Sequence, residues 1–246
     1  MTHSPAPPGW PEQARALIRR RYAHLAAADS FHPDPRSTAL AGGCPADWYD
    51  ALPPRAAGAF SGCGWPALGL GVQDGQTVVD LGCGGGLDAR YIAEQLGPNG
   101  QIIALDLTPE VLQRARETVA GTGPGAVRFL AADMEQLPLP DECADAVVAN
   151  AALNLATDKA AALAEITRIL KPGRPFLAAD LVRVEELPRE IRNDPMAMAT
   201  SLGGVLPEPD LRILFENTGF EDVRIGGHRP FGPVVAVDIE ARTRPD

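Results

Sequence analysis

A chain of 246 residues with 45% apolar content can bury one sizeable core and a small appendage. Its formal net charge of −10, from 32 acids against 22 bases, repels phosphate backbones, so no nucleic acid is expected as a partner. The longest apolar stretches, such as 144–152, are far shorter than the roughly 20 residues of a membrane span, and residues 1–10 lack the order of a secretory signal. No membrane partner and a cytoplasmic location follow as expectations, with free thiols for the four cysteines, which form no C-x-x-C pair. No metal site is assigned, and no feature specifies an oligomeric state.

Residues 1–10 are Pro-rich and read as disordered. From Pro11, residues Ala14, Leu17, Ile18, Tyr22 and Leu25 recur at helical spacing and give one apolar face. Residues 29–46 hold many Pro, Gly, Ser and Asp and read as an irregular loop, followed by a short helix at 46–52. From Gln76 strand and helix alternate. Strands are predicted at 77–81, 101–105, 127–130, 144–150 and 176–182, with helices at 87–96, 109–120 and 159–170. A helix at 208–217 precedes two further strands, 223–225 and 234–239. This order requires a mostly parallel sheet covered by helices on both faces. The last two strands, with no helix between them, should form an antiparallel hairpin at the sheet edge.

In such a sheet a ligand binds beyond the carboxyl ends of the strands, which draws attention to Asp80-Leu81-Gly82-Cys83-Gly84-Gly85-Gly86-Leu87-Asp88 after the first strand. Gly82, Gly84 and Gly86 let backbone approach a ligand closely. Residues 84–89 also fit the dinucleotide pattern G-x-G-x-x-A, but Asp80 and Asp88 flank the turn and would repel a pyrophosphate. They suit cationic groups, such as the α-ammonium and sulfonium of S-adenosylmethionine. Asp106, with Leu107 beyond it, closes the second strand where a carboxylate can accept both ribose hydroxyls. Asp133 follows the third strand and can accept from an adenine amino group, and Met134 offers the ring a soft surface. Asn150 and Cys83 complete the expected cofactor residues.

Four segments carry a family resemblance: D-L-G-C-G-G-G at 80–86, A-L-D-L-T-P-E at 104–110, A-A-D-M-E-Q-L-P at 131–138 and R-I-L-K-P-G at 168–173. They resemble the class I S-adenosylmethionine-dependent methyltransferases. The run from Phe60 to Pro66, residues 150–159 and the segment 219–223 resemble the arsenite methyltransferase family more narrowly. The resemblance covers about residues 22–226. It implies a seven-stranded, mostly parallel Rossmann-like sheet with an antiparallel last strand, a helical lid over residues 1–60, and a methyltransferase domain over 61–246. The sequence departs from the arsenite family at two thiol positions, where Ala151 and Ser201 stand in place of Cys. Trivalent arsenic binds sulfur, and of the thiols that remain only Cys44 and Cys63 are placed to face a substrate, since Cys143 precedes its strand at the far end of the sheet.

Methyl transfer from a sulfonium asks the protein mainly for alignment and desolvation, and for a base only where the acceptor carries a proton. Tyr22, His32, Asn150 and Asn154 are the catalytic candidates, with His24, Tyr49 and Asp180 near the expected pocket. Asn150 and Asn154 follow the fourth strand, where this fold faces the transferable methyl, although Asn154 equally suits the cap of the helix beginning near Thr157. His32 lies in a loop able to close over the site. Loop 184–206, with Met196 and Met198, forms another wall whose methionines line a pocket or fill core. Three readings follow: a methyltransferase of a small organic acceptor, an arsenic methyltransferase with a reduced thiol set, and a non-catalytic module that binds S-adenosylmethionine.

Overall fold

The computed structural model describes residues 9–28, 30–123, 125–186, 188, 191 and 194–245. The expected disorder of the N-terminus falls largely on residues 1–8, and these, like His3, lie outside the described residues.

The chain opens with helix α1 (Trp10–Ala27), started by Pro11 in its first turn. Short helices α2 (Pro35–Ala41), α3 (Ala46–Asp50) and α4 (Pro54–Ala57) follow, then a 3-10 turn at Pro66–Gly69. Helix α2 corrects the loop expected over 29–46. Asp34 caps it by accepting from the Ser37 N–H at 3.1 Å, and Pro35 pre-sets its first turn.

The alternating region is β1 (Thr77–Leu81), α5 (Leu87–Gln95), β2 (Gln101–Asp106), α6 (Pro109–Val119), β3 (Ala126–Ala131), β4 (Ala146–Asn150), α7 (Lys159–Ile169) and β5 (Pro175–Arg183). It ends with α8 (Pro195–Ala199), β6 (Leu206–Pro207), α9 (Glu208–Asn217), β7 (Phe220–Phe231) and β8 (Val234–Thr243). The strand order is β3-β2-β1-β4-β5-β8-β7, parallel from β3 through β5. Strand β8 is antiparallel to both β5 and β7, so the expected hairpin is present with β7 at the edge. Two-residue β6 pairs with β5 and makes an eighth strand where seven were expected.

Strand alternation distributes the core over two faces. Val79, Leu81, Val147 and Phe176 face α7 and α9, packing on Leu163, Ile166 and Phe215. Val78, Ile102, Ala104 and Val148 face α5 and α6, packing on Ala89, Ile92, Leu112 and Ala115. Helix α1 lays Ala14 and Ile18 on Met198 and Ala199 of α8, while Ala26 meets Val111 of α6. Of the two methionines, Met198 fills core and Met196 is exposed. No helix among the described residues is long and apolar enough to cross a membrane.

Candidate active site

The strand order reverses between β1 and β4, and a cavity opens there at the carboxyl ends of the strands, with about 740 Å³ of empty space when its solvent-filled mouth is included. Leu81 and Gly82 supply its floor from β1, Leu105 and Asp106 from β2, Met134 from the loop after β3, and Asn150 from β4. Ile18 and Tyr22 of α1 close it from the other side.

The turn after β1 is built around close approach. Gly82 and Gly84 have φ of +65° and +52°, a region most side chains avoid. A Cβ on Gly82 would stand 2.6 Å from the Ala152 methyl, and one on Gly84 would stand 2.8 Å from the Ser61 hydroxyl. Gly86, at φ +84°, has a different role, starting α5 hard against Ala115. The Cys83 N–H donates to Leu105 O at 2.8 Å and ties the turn to β2. The buried thiol of Cys83 packs toward α5 and α6 and borders only an adjoining recess of about 240 Å³, so it stands off the main cavity wall.

Carboxylates crowd this end of the sheet. Asp106 accepts the Gly84 N–H at 3.2 Å and the Thr108 N–H at 2.9 Å, and burial pushes its carboxyl up to about 6. Asp88 accepts the Asn150 amide at 3.0 Å, and burial likewise raises it to about 6. Asp80 is 1% exposed beneath the turn, where burial first, then Asp88 and Asp106, drives its carboxyl well above the ordinary range. One oxygen each of Asp80 and Asp88 is buried without a hydrogen-bond partner. Unpartnered buried carboxylate oxygens are costly alone and suit a cationic ligand. Asp88 borders the recess and Asp80 lies under the turn, so neither faces the main cavity directly.

Asp133, Leu107 and Met134 line the cavity as the sequence pattern expects. Asp133 Oδ2 lies 2.9 Å from Arg15 Nε of α1, and its Oδ1 accepts the Glu135 N–H at 3.0 Å. Arg15, Glu135 and Ser61 were missed in the sequence. Arg15 shares a helix face with Ile18 and Tyr22 at i+3 and i+7, and that spacing was the available signal.

The candidate catalytic residues are dispersed. Asn150 edges the cavity, but its amide is fully used: Oδ1 accepts from Cys63 N at 2.9 Å and Gly64 N at 3.3 Å, and Nδ2 donates to Gly64 O at 3.0 Å and to Asp88. It fastens the 60–64 segment to β4. Asn154 is buried behind the wall, its N–H donating to Asp180 at 3.3 Å and its amide to Ser201 O at 3.4 Å. Asp158, not Asn154, caps α7, accepting from Ala161 N at 3.0 Å. Tyr22 does line the cavity, bonds the Ser201 side chain, and is pushed up by burial, so its phenol stays protonated. His32 is off the cavity wall, its Nδ1 accepting from Asp34 N at 3.1 Å and its ring 6.3 Å from that of Phe231. His24 is on the exposed side of α1, and the Tyr49 hydroxyl is spent on Ala57 O at 2.7 Å. Asp180, buried near Lys159, rises to about 6.

The thiols depart from expectation. Cys44 is buried among Tyr49, Phe60 and Trp65, which raises it to about 12, and Cys63 is buried beside Ala151, Ala179 and Leu202, far above its ordinary value. Neither lines the cavity. Ala151 and Ser201, the two replaced thiol positions, both hold left-handed backbone, with φ of +53° and +66°. Such conformations in non-glycine residues concentrate at functional sites.

A family model described as "Methyltransferase domain" matches residues 72–221. An arsenite methyltransferase of Halobacterium salinarum is 32% identical over 87% of this chain and 59% of its own length. A ubiquinone/menaquinone biosynthesis C-methyltransferase of Stutzerimonas stutzeri is 30% identical over 68% of this chain and 73% of its own. An arsenic(III) S-adenosylmethionine methyltransferase from Chlamydomonas reinhardtii shares the fold with a TM-score of 0.67 and 27% identity, over 86% of this chain and 73% of that one. The chain spans between half and six-tenths of the two bacterial and archaeal arsenite methyltransferases it matches, 53% and 59%. With the turn, the ring of carboxylates and the sheet order in agreement, the chain belongs to the S-adenosylmethionine-dependent methyltransferase domain family.

Proposed function

We propose that this chain binds S-adenosylmethionine in the cavity at the carboxyl ends of the strands and methylates a small organic acceptor. The observation that carries the reading is the positive-φ glycine turn after β1 open to that cavity, with Asp106 and Asp133 on the same wall. The cofactor, when bound, supplies an electrophilic methyl on a sulfonium. Asp106 accepts the ribose hydroxyls, Asp133 accepts from the adenine amino group, and Met134 and Leu107 cover the ring. The main chain of the turn holds the amino-acid end, with the charge of Asp88 behind it. Residues 9–60 act as a lid whose Ile18 and Tyr22 exclude water from the reacting groups.

The arsenic reading draws on the 32% identity to an arsenite methyltransferase. Against it stand Ala151, Ser201 and the burial of Cys63. Calorimetry with S-adenosylhomocysteine tests the cofactor half. Incubation with S-adenosylmethionine and panels of phenols, amines, carbon acids and arsenite, reading S-adenosylhomocysteine and methylated acceptor by mass spectrometry, tests the rest. Turnover with arsenite alone would overturn the organic acceptor, and binding without turnover across the panel would leave a non-catalytic module.

A further inference from the structure

One charged node joins three parts of the cavity wall. The Arg15 guanidinium of α1 places Nε 2.9 Å from Asp133 Oδ2 and donates from Nη2 to Glu135 Oε2. The other oxygen of Glu135 accepts both the Thr157 N–H at 2.6 Å and its hydroxyl at 2.7 Å. Helix α1 and the turn before α7 are therefore joined through Glu135 of the loop after β3, and Arg15, Asp133 and Glu135 all line the cavity.

We infer that Arg15 is a positioning residue for adenine recognition, fixing the Asp133 carboxylate while it latches α1 over the adenosine end; this rests on the cofactor reading above. An ionised carboxylate only accepts hydrogen bonds, so Asp133 favours a ring edge that presents an amino group over one that presents a carbonyl. That preference is sharp only if the carboxylate cannot turn aside. Its Oδ1 is held by the Glu135 N–H, while its Oδ2 is ion-paired with Arg15 Nε at 2.9 Å, without a hydrogen bond along that contact. A guanidinium hydrogen-bonds one carboxylate from Nη2 while its delocalised charge sits beside a second, an arrangement a compact ammonium does not reproduce. Arg15 thus couples closure of the lid to the chemistry that selects the base.

Calorimetry on the full chain with S-adenosylhomocysteine and S-inosylhomocysteine separates this role from a merely structural one. Wild type should prefer the adenosyl ligand by about tenfold or more, the scale of a hydrogen bond to a charged group. Arg15→Gln should weaken both ligands through the lost latch, and the adenosyl ligand about tenfold more than the inosyl one, so that the preference collapses. Arg15→Lys, which keeps the charge but not the planar guanidinium, should retain part of the preference. Equal weakening of both ligands, or unchanged preference in both variants, overturns the inference while leaving the cofactor reading intact. Wild type that binds neither ligand overturns both.

Discussion

At Asp106 a single oxygen pair already satisfies two main-chain N–H groups, from Gly84 and Thr108, before any ligand arrives. Its carboxyl is nonetheless raised to about 6, because burial outweighs those bonds. Only the ionised form accepts from two hydroxyls while keeping both main-chain donors. Affinity for S-adenosylhomocysteine should therefore fall as pH drops below about 6, toward tenfold per unit, and Asp106→Asn should cost roughly 1.5–3 kcal/mol of binding at pH 7. Titration calorimetry between pH 5 and pH 8 checks both, and a flat profile would remove Asp106 from cofactor binding. The thiols make a second residue-scale case. Burial holds Cys44, Cys63 and Cys83 in the inert thiol form, so native protein should show none of the three reacting rapidly with a thiol reagent. Restoring the two missing sulfurs as Ala151→Cys and Ser201→Cys should create arsenic(III) binding, read as loss of the introduced thiols from titration. Stoichiometric arsenic binding by the unmodified chain would instead restore the arsenic reading.

The element that depends most on one side chain is the 60–64 segment. Asn150 satisfies two of its N–H groups and one carbonyl, and Gly62 lies so close that a Cβ there would come within 2.3 Å of that amide. Asn150→Ala leaves those buried groups and Asp88 without their partner. It should destabilise the protein by roughly 2–4 kcal/mol and expose the turn, a loss measurable by urea unfolding. Unchanged stability would show that water replaces the amide at no cost. The elements of the sheet were legible because β1, α5, β2 and α6 combine buried runs with glycine and proline punctuation, and their observed bounds fall within a residue or so of expectation. Helix α2 was hidden because its Pro, Ser and Thr content resembles a loop, while the decisive signal was local, an Asp-Pro start. Strand β7 was read too short because Gly226 and Gly227 suggest a turn, whereas the strand carries a register shift there and continues to Phe231. Among site residues, Asp106 and Asp133 were legible because strand ends fix where they point. The burial of Cys63 and Asn154, and the reach of Arg15 across the cavity, depend on how α1 and α8 pack, which no local pattern carries.

Taken over the whole molecule, the charge is arranged against the folded state at neutral pH. Asp88, Asp106 and Asp180 are each raised to about 6 by burial, and Asp80 moves in the same direction. A folded-state pKa above the unfolded one means that the native protein binds more protons than the unfolded chain between about pH 4 and pH 6. These groups then contribute stability that is present below pH 4 and is lost as pH rises through 6. Opposing them, Asp145 is lowered despite burial by Lys171 and the Thr77 N–H, and Glu165 is lowered by Arg168; both lose their contribution as pH falls through the acid range. These raised carboxylates should accordingly make the thermal unfolding temperature of the unliganded protein fall as pH rises from about 5 through 6 and level off above that range. Saturating S-adenosylmethionine brings positive charge near Asp88 and hydroxyl donors to Asp106, both of which favour the ionised carboxylate, so it should flatten that fall and stabilise most at neutral pH. Thermal unfolding of both forms across pH 4–8 decides the matter. An unliganded protein whose unfolding temperature climbs steadily to pH 7 would show that the carboxylates are held in their ionised form by the fold itself. The glycine turn would then lose its claim to need a cationic ligand.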